Sequence, residues 1–257
     1  MEGAELVKSL QERAARAQPA ERVKDADGWL LRHAPHCSWW VGTVLPHGDA
    51  RRDDLIGRVV EAEEFYAAHG TTPCFQITPK ACPEGLDAVL EKRGYRRRGS
   101  VSLQTASVAR LVELAPTLKV RLDERPTRPW YDTWQAVNGD SRAEYAMLAR
   151  VESPSVYASA LIGDEVVAVG RAVADTGWAG VFSMVTLPRA RGRGAARNVL
   201  AALAGWAAAN SADHMYLQVE RDNGPALRLY ERAGFTGIRT YHYRDAHLAV
   251  PAKGTMP

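Results

Sequence analysis

The apolar and polar positions in the second half of the chain predict strands that alternate with helices. An apolar run over residues 181–187 stops at Pro188, and a short turn of arginines and glycines follows it. From about Gly194 the apolar positions recur every three or four residues, which predicts a helix with one apolar face. Residues 215–219 then alternate between apolar and polar side chains, and this period of two predicts a further strand.

A second helix and a last strand are predicted after this strand. Pro225 fits the first turn of a helix, and Asp222 or Asn223 can cap that turn. Gly234 ends the helix, because glycine accepts the left-handed conformation of a C-terminal cap. The last strand region begins at Phe235.

The beginning of the second half contains a predicted strand, two helices and a hairpin. These elements are a strand over 118–123, a helix with Trp130, Trp134 and Val137 on one face, a helix capped by Ser141, and strands over 156–162 and 165–173. The Gly163-Asp164 pair between the last two strands is typical of a hairpin turn.

Shorter elements are predicted in the first half. They are a helix at the start, strands over Trp29–Leu31 and Trp39–Leu45, a helix at about 54–69, a strand over 74–77, a helix over 84–93 and a strand over 100–105. The end of this half aligns with the end of the second half: Gln76 aligns with Gln218, and Gly94-Tyr95 with Gly234-Phe235. The similarity indicates either two copies of one domain or a generic strand–helix–strand unit that occurs twice.

Composition and charge narrow the functional class. The chain has 257 residues, of which 46% are hydrophobic and 25% are charged, and its net charge is +3. These values are ordinary for a globular protein and do not favour nucleic-acid binding, although Arg96–Arg98 is a local basic cluster. No apolar run approaches membrane-spanning length, and the N-terminus is a charged amphipathic helix rather than a signal peptide. We therefore expect a cytoplasmic protein.

Metal binding is not expected. Cys37, Cys74 and Cys82 are an odd number of cysteines without the spacing of a metal site. His33 and His36 lie close to Cys37 in the sequence, but no second cluster completes a set of ligands.

The turn after the apolar run has the features of an anion site. A strand that leads through a glycine turn into a helix directs several backbone N–H groups to one point, where partial positive charge favours an anion such as phosphate. Gly192 and Gly194 let the backbone approach that anion without an intervening Cβ. The spacing Arg189-x-x-Gly192-x-Gly194 differs from both G-x-G-x-x-G and the lysine-containing P-loop. Such a turn can also serve only to join a strand to a helix.

This spacing resembles the acetyl-CoA pyrophosphate loop, R/Q-x-x-G-x-G/A, of the GNAT superfamily of N-acetyltransferases. The string Asn223-x-x-Ala226-x-x-Leu229-Tyr230-Glu231-x-x-Gly234-Phe235 resembles the second GNAT signature, at the right distance after the first. The resemblance implies an α/β fold of GNAT type, with a mixed, mostly antiparallel sheet flanked by helices. It implies acetyl-CoA as the co-substrate.

The resemblance also implies which residues contact acetyl-CoA. The pantetheine arm would pair with a strand backbone, the pyrophosphate would lie at the loop and helix start, and the second signature would hold the rest of the molecule. The implied contacts are Met184, Val185, Thr186, Arg189, Arg191, Gly192, Arg193, Gly194, Ala195, Asn223, Ala226 and Tyr230. Asn223 can instead be a plain helix cap, or it can fill both roles.

By the same resemblance, an amine attacks the thioester directly and Tyr230 protonates the leaving thiolate. Tyr230 can instead be only a packing residue of an amphipathic helix. The amine needs a base or a water chain that removes its proton. Glu220, at the end of its strand, is weakly preferred over Glu144, Asp140 and Glu152, although it can equally be a solvated strand terminus. No cysteine or serine lies in a nucleophile motif, so no acyl-enzyme is expected.

The first half lacks these residues at the aligned positions. When positions are counted back from Gly94 and Gly234, Leu90 corresponds to Tyr230 and Pro83 corresponds to Asn223. If the first half is a GNAT-like copy, it is therefore a degenerate one that lacks the acid and the capping asparagine.

An acidic turn supports the same interpretation. Asp53 and Asp54 precede the first-half helix, where they would repel a pyrophosphate. We expect a degenerate, non-catalytic GNAT-like domain over residues 1–117 and a catalytic domain that binds acetyl-CoA over residues 118–257. The first domain would shape the acceptor site or stabilise the second.

The expected function is the transfer of an acetyl group from acetyl-CoA to a primary amine of a small molecule: a metabolite, an amino acid or an aminated antibiotic. Trp39 and Trp40 are either acceptor-side surface or core residues. The alternatives are a protein or peptide N-acetyltransferase and a non-catalytic sensor that binds acyl-CoA. Tyr230 and the intact loop argue against the sensor. A monomer or homodimer is expected, with neither nucleic acid nor a membrane as partner.

Overall fold

The computed structural model describes residues 2–48, 54–114 and 117–246. The helices within these ranges are α1 (Glu2–Ala17), α2 (Leu55–Ala67), α3 (Leu86–Lys92), α4 (Val108–Val112), α5 (Arg128–Asn138), α6 (Arg142–Ala149), α7 (Ala195–Ala209) and α8 (Gly224–Ala233). The strands are β1 (Arg22–Ala26), β2 (Trp29–His33), β3 (Val44–Pro46), β4 (Cys74–Ile77), β5 (Arg96–Ser107), β6 (Val120–Asp123), β7 (Ser155–Ile162), β8 (Glu165–Asp175), β9 (Trp178–Thr186), β10 (His214–Glu220) and β11 (Thr236–Asp245).

The described residues form two compact units. The first unit contains the residues up to Val101 and those from Arg239 onward, and the second contains Ser102–Ile238. The boundaries lie inside β5 and β11, whereas the sequence predicts one boundary after residue 117. The packing of the strands sets this division. No linker-like stretch of the sequence marks where it falls.

The second unit is built on a mixed sheet with the strand order β5-β10-β9-β8-β7-β6. The strands β6, β7, β8 and β9 pair antiparallel in turn, and β9 pairs parallel with β10. On one face, Val199 and Leu203 of α7 pack with Val156 and Ala158 of β7 in the main core. Tyr157 points to the other face, because neighbouring strand residues alternate between the two faces.

Helix α5 covers that other face. The Trp130 ring of α5 lies edge-on to the Tyr157 ring with 5.2 Å between centroids. The Trp130 Nε1–H also donates a hydrogen bond to the Gly170 carbonyl at 3.1 Å. Helices therefore flank both faces of the sheet, and the predicted α/β class is confirmed.

The first unit has the strand order β1-β2-β3-β4-β11. Strands β3 and β4 are parallel, and the pairs β1/β2, β2/β3 and β4/β11 are antiparallel. Leu55 and Val59 of α2 and Leu90 of α3 pack into its core together with Phe75 of β4. Both units therefore contain a central parallel strand pair with a helix between the two strands and another helix after them.

The ends of α3 and α8 have the same hydrogen bonds at the aligned positions. The Tyr95 N–H donates to the Leu90 carbonyl at 3.0 Å, and the Phe235 N–H donates to the Tyr230 carbonyl at 2.9 Å. The intervening glycines, Gly94 and Gly234, have φ angles of 89° and 102°. Left-handed backbone of this kind is what a glycine cap provides. The sequence alignment of the two halves therefore corresponds to a shared local structure.

The predicted strand over Trp39–Leu45 is wrong. Strand β3 covers only Val44–Pro46, and the residues before it form turns. The Val41 N–H donates to the Ser38 carbonyl at 2.9 Å, which closes one of these turns. The apolar character of Trp40 and Val41 reflects burial, since these residues are 8% and 0% exposed.

Two short elements were not predicted. Strand β1 lies at the edge of the sheet and is mostly exposed, so its polar sequence carries no alternating apolar pattern. Helix α4 has only five residues, too few for a helical period to be recognised.

Candidate functional site

Strands β9 and β10 begin as neighbours and then separate. Among the described residues, their paired positions run from His214 opposite Trp178 to Tyr216 opposite Gly180. Strand β9 continues to Thr186 and β10 to Glu220 beyond the last pair. We call the gap between these two strand ends the β9–β10 opening.

A β-bulge lies in β9 at the start of this opening. The register with β8 changes between Val169, which faces Val185, and Arg171, which faces Phe182. Ser183, within the bulge, has a φ of 55°, a left-handed conformation that is uncommon for a residue with a side chain. A bulge bends its strand and increases the local twist. It therefore explains why β9 turns away at this point.

Gly170 of β8 makes room for the bulge. A Cβ placed on Gly170 would lie 2.4 Å from the sulfur of Met184 and 2.8 Å from a methyl group of Val199. Both distances are too short for any larger residue. The glycine therefore lets Met184 turn toward α7 behind the opening.

The predicted anion loop connects the end of β9 with α7. Pro188–Ala190 form a short 3-10 turn, and Gly192 and Gly194 have φ angles of 73° and 77°. Gly194 is the N-cap of α7, and no side chain caps this end of the helix. The first-turn N–H groups of α7 can therefore donate hydrogen bonds to an external anion. Gly192 and Gly194 are both exposed.

Three arginines surround this loop. The side chain of Arg189 forms an ion pair with Glu165, and both side chains are more than half exposed. Arg191 and Arg193 are exposed as well. Ala195 is buried at the start of α7. The loop therefore combines a helix N-terminus with exposed positive charge.

Asn198 fixes the first turn of α7, a role that the sequence analysis missed. Its side chain is 1% exposed. Its Oδ1 accepts hydrogen bonds from the backbone N–H groups of Thr117 and Leu118, the latter at 2.9 Å. Its Nδ2 donates to the Gly194 carbonyl at 2.9 Å. A single polar residue on the apolar face of a predicted helix is the signal that could have indicated it.

Asn223 caps α8, as one of the two predicted roles requires. Its Oδ1 accepts a hydrogen bond from the Ala226 N–H at 3.2 Å, and Pro225 lies in the first turn. Cofactor contact by Asn223 and Ala226 stays a prediction.

Tyr230 of α8 lies in the core on the α7 side of the sheet. It is 2% exposed, and its ring lies 5.8 Å from that of Phe235. Leu217 and Val219 of β10 belong to the same core. Burial raises the pKa of the Tyr230 hydroxyl, which therefore stays protonated throughout the physiological range.

Glu220 lies on the other face of the sheet. It is half-buried at the end of β10, one residue after Val219, which faces the α7 side. The other proposed bases differ in burial: Asp140 and Glu152 are exposed, whereas Glu144 of α6 is only 6% exposed. The proposed acid Tyr230 and the proposed base Glu220 are thus on opposite faces of the sheet that contains the β9–β10 opening.

The first unit has a different structure at the corresponding place. His47 follows β3 and Thr78 follows β4, and the side chain of Gln11 from α1 connects them. The Gln11 Nε2 donates to the Thr78 Oγ1 at 2.9 Å, and the Gln11 Oε1 lies 3.0 Å from the His47 Nε2. All three side chains are buried. A polar side chain of the protein therefore fills this position in the first unit.

The first-half counterparts of the other second-half site residues also differ from them. Leu90, the counterpart of Tyr230, is fully buried in the core, and Pro83 precedes α3. Asp54 lies directly before α2, but its side chain makes no capping hydrogen bond there. Asp53 lies outside the described residues.

Trp40 is a core residue, whereas Trp39 is partly exposed. The Trp39 ring contacts Tyr243 with 4.6 Å between centroids, and the Arg98 guanidinium carbon lies 4.1 Å from the Trp39 ring centroid. His33 is buried and packs against His69 at 4.8 Å between ring centroids.

In the described ranges, no group of three His, Cys, Asp or Glu side chains could hold a metal ion. Across those same ranges, no helix is long and apolar enough to cross a membrane.

Comparison with known proteins identifies the family. A family model described as "Probable histone acetyltransferase Rv0428c C-terminal" matches residues 5–244. The chain belongs to this acetyltransferase family. It is a GNAT-type N-acetyltransferase, as the two signatures implied.

One curated relative carries the name "Uncharacterized N-acetyltransferase YobR" and comes from Bacillus subtilis (strain 168). It is 27% identical over 250 residues, which cover 93% of this chain and 98% of the relative.

Two solved structures share the fold over nearly the whole chain. A GCN5-related N-acetyltransferase from Kribbella flavida has a TM-score of 0.72 at 18% identity and covers 95% of this chain and 96% of its own. A tandem GNAT protein from the clavulanic acid biosynthesis pathway has a TM-score of 0.62 at 15% identity, with coverage of 96% and 89%. These similarities extend the GNAT fold assignment to the first half of the chain.

The Asn198 hydrogen bonds lead to a stability prediction. Asn198→Ala should lower the free energy of unfolding by about 2–3 kcal/mol, because the N–H groups of Thr117 and Leu118 lose their acceptor next to a buried position. Urea unfolding measures the change. Asn210→Ala is the matched control: the side chain of this exposed asparagine at the α7 C-cap donates to the Trp206 carbonyl, and its loss should cost less than about 0.5 kcal/mol. Equal costs for the two variants would contradict the anchoring role of Asn198.

Proposed function

We propose that this enzyme transfers an acetyl group from acetyl-CoA directly to a primary amine of a small molecule. The observation that carries the proposal is the β9–β10 opening, which leads to an uncapped helix N-terminus surrounded by exposed arginines. An extended thioester with a pyrophosphate at its far end has the shape and charge that suit this arrangement.

The proposed contacts follow the opening from end to end. The backbone of Met184, Val185 and Thr186 borders the gap and would pair with the pantetheine arm. The loop N–H groups and the side chains of Arg189, Arg191 and Arg193 would hold the pyrophosphate. Asn223 and Ala226, at the start of α8, would hold the other side of the arm.

Two side chains would move protons during transfer. Glu220 would take a proton from the attacking amine, whose nitrogen then forms a bond to the acetyl carbon. The electron pair of the breaking C–S bond goes to sulfur, and the Tyr230 hydroxyl would donate a proton there. The proton taken by Glu220 balances the one given by Tyr230. The bound co-substrate supplies the activated acetyl group for this exchange.

The raised pKa of the Tyr230 hydroxyl limits how this group can act as the acid. A thiol has a reference pKa of about 8.5 and an unperturbed tyrosine one of about 10, so complete transfer from this buried hydroxyl to a thiolate is uphill. A hydrogen bond from this hydroxyl to the developing thiolate stabilises the transition state, and the proton passes to sulfur as CoA leaves. Burial also keeps water away from this bond and strengthens it.

We also propose that the second unit makes all contacts to acetyl-CoA, while the first unit is non-catalytic. The support is the contrast between Tyr230 and its apolar counterpart Leu90, together with the Gln11 bridge in the first unit.

A cytoplasmic location suits the three free cysteines, because disulfides are rare in that compartment.

A second candidate is transfer to a protein lysine or N-terminus. It is supported by the description of the matched family model, which refers to a histone acetyltransferase. The chemistry at the β9–β10 opening would be the same, and only the acceptor would differ.

A panel of acceptors separates these functions. The protein would be incubated with acetyl-CoA and amines, amino acids, aminated antibiotics or a lysine-rich histone-like peptide, and released CoA thiol would be measured. We expect a small amine to raise thiol release at least about tenfold above the rate without acceptor. Release with the peptide alone would favour the second candidate. Acetyl-CoA binding without release for any acceptor would indicate a sensor.

The loop assignment predicts the effect of a new charge. Gly192→Asp should weaken acetyl-CoA binding about 100-fold, because two unit charges about 5 Å apart repel by about 3 kcal/mol at an effective dielectric constant of 20. A Cβ at Gly192 meets nothing within 4 Å, and aspartate tolerates positive φ, so the fold should persist. Calorimetric titration measures affinity and should give one site per chain for the unaltered protein.

Gly192→Asn is the matched control for this prediction. Asparagine has the same shape as aspartate and the same tolerance of left-handed backbone but carries no charge. It should weaken binding less than about tenfold. Equal affinity of the Asp variant and the unaltered protein would refute the pyrophosphate assignment.

The Tyr230→Phe variant should lose turnover without losing acetyl-CoA binding. The kcat should fall about 10²–10³-fold, or about 3–4 kcal/mol, while the KM for acetyl-CoA changes little, because only the hydroxyl is removed. Steady-state kinetics with the acceptor found in the panel measures both constants. Tyr95→Phe, which removes a buried hydroxyl bonded to Glu63 in the first unit, should leave kcat unchanged. An unchanged kcat in Tyr230→Phe would reduce Tyr230 to a packing residue.

A further inference from the structure

A buried arginine lies on β8, which borders β9 on the side away from the β9–β10 opening. Arg171 of β8 is 0% exposed and is the single charged residue in an apolar stretch over 166–174. Charged side chains are rarely buried to this degree, because the loss of hydration is costly. That cost indicates that the charge at this position has a role beyond filling space.

Arg171 lies in a row of aromatic side chains on the α5 side of the sheet. Its strand partners are Tyr157 on one side and Phe182 on the other. The guanidinium carbon lies 5.0 Å from the Phe182 ring centroid, within the range of a cation–π contact. Burial lowers the pKa of Arg171, and a hydrogen bond with Tyr157 and the charge of Glu144 act in the opposite direction.

Phe182 is held from its other sides too. The Tyr216 ring stands edge-on to it at 6.1 Å between centroids. A Cβ on Gly180 would lie 2.5 Å from the Phe182 ring, so the ring occupies the space that this glycine leaves open. Phe182 is therefore enclosed by Arg171, Tyr216 and Gly180.

Phe182 is also the last residue of β9 before the bulge. The next residue, Ser183, has the left-handed φ of 55°, and β9 has left β10 by this point. A non-glycine residue in this conformation is strained and persists only when its surroundings hold it. The contacts of Phe182 supply that restraint on one side of Ser183.

We propose that Arg171 is a positioning residue for acetyl transfer: by holding the Phe182 ring, it fixes the bulge at Ser183 and with it the geometry of the β9–β10 opening. The inference rests on the proposed function, in which the acetyl group lies in this opening. Arg171 acts through Phe182 and does not touch the substrates, since no part of the residue is exposed.

The chemistry of the side chain explains why arginine suits this position. A methionine has a comparable length and would fill the same space without the desolvation cost of a charge. It would lack the cation–π contact and the hydrogen bond to Tyr157, so the Phe182 ring would be held less firmly. Lysine would keep the positive charge above the ring.

The test compares Arg171→Met with Arg171→Lys. In Arg171→Met we expect kcat to fall about 10–100-fold, as a misplacement of about 1 Å in a reacting geometry does. The KM for acetyl-CoA should stay within about twofold, because the pyrophosphate loop is untouched. Arg171→Lys should recover kcat to within about threefold of the unaltered enzyme. Urea unfolding should show that both variants are folded under assay conditions.

Arg32→Met is the matched control. Arg32 is a buried arginine of the first unit that bonds the Thr43 and Trp40 carbonyls. The Arg32→Met variant should have a lower free energy of unfolding and an unchanged kcat. A kcat in Arg171→Met within twofold of the unaltered value, or a lysine variant no better than the methionine variant, would overturn the inference.

Hydrogen exchange gives a readout that does not depend on turnover. The amides of residues 182–185 should exchange about tenfold faster in Arg171→Met than in the unaltered protein, while those of α8 keep their rates. Unchanged exchange at these amides would overturn the inference. Absence of thiol release by the unaltered protein with every acceptor would instead count against the proposed function.

Discussion

Two neighbouring strands that separate must find new partners for the backbone groups on their facing edges, because buried backbone N–H and C=O groups are costly without hydrogen bonds. The separation of β9 from β10 after the Gly180–Tyr216 pair creates this requirement. The surrounding residues suit it: Gly170 leaves space for Met184, and Asn198 fixes the α7 end of the loop. An extended chain with amide groups, such as a pantetheine arm, is a natural partner for such edges.

The first unit meets the same requirement with its own side chains. Gln11 bridges the residues that follow β3 and β4, so a buried amide stands where the second unit has its opening. The helix caps at Gly94 and Gly234 remain alike in the two units, because they depend only on backbone geometry. The aligned side chains Leu90 and Tyr230 are both buried, but only the second one carries a hydroxyl group.

Local signals allowed much of this protein to be predicted from its sequence. The Asn223 cap, the Gly234 cap and the helix after Gly194 were predicted because each depends on a few neighbouring residues. Arg171 and Asn198 were missed because their roles depend on partners that a local pattern does not reveal: Phe182 across a strand pair for one and the distant Leu118 for the other. Of the proposed bases, Glu144 is buried and Asp140 is exposed, a difference that the sequence pattern did not reveal.

Direct transfer places opposite demands on its two proton-moving groups. The base must meet a polar amine that arrives from solvent, while the acid works best where water is excluded. A sheet interrupted by an opening satisfies both demands, since its two faces have different environments. Half-buried Glu220 lies on one face, and fully buried Tyr230 lies on the other with Leu217. A thioester within the opening would be reached from both faces, which a pocket on a continuous sheet would not allow.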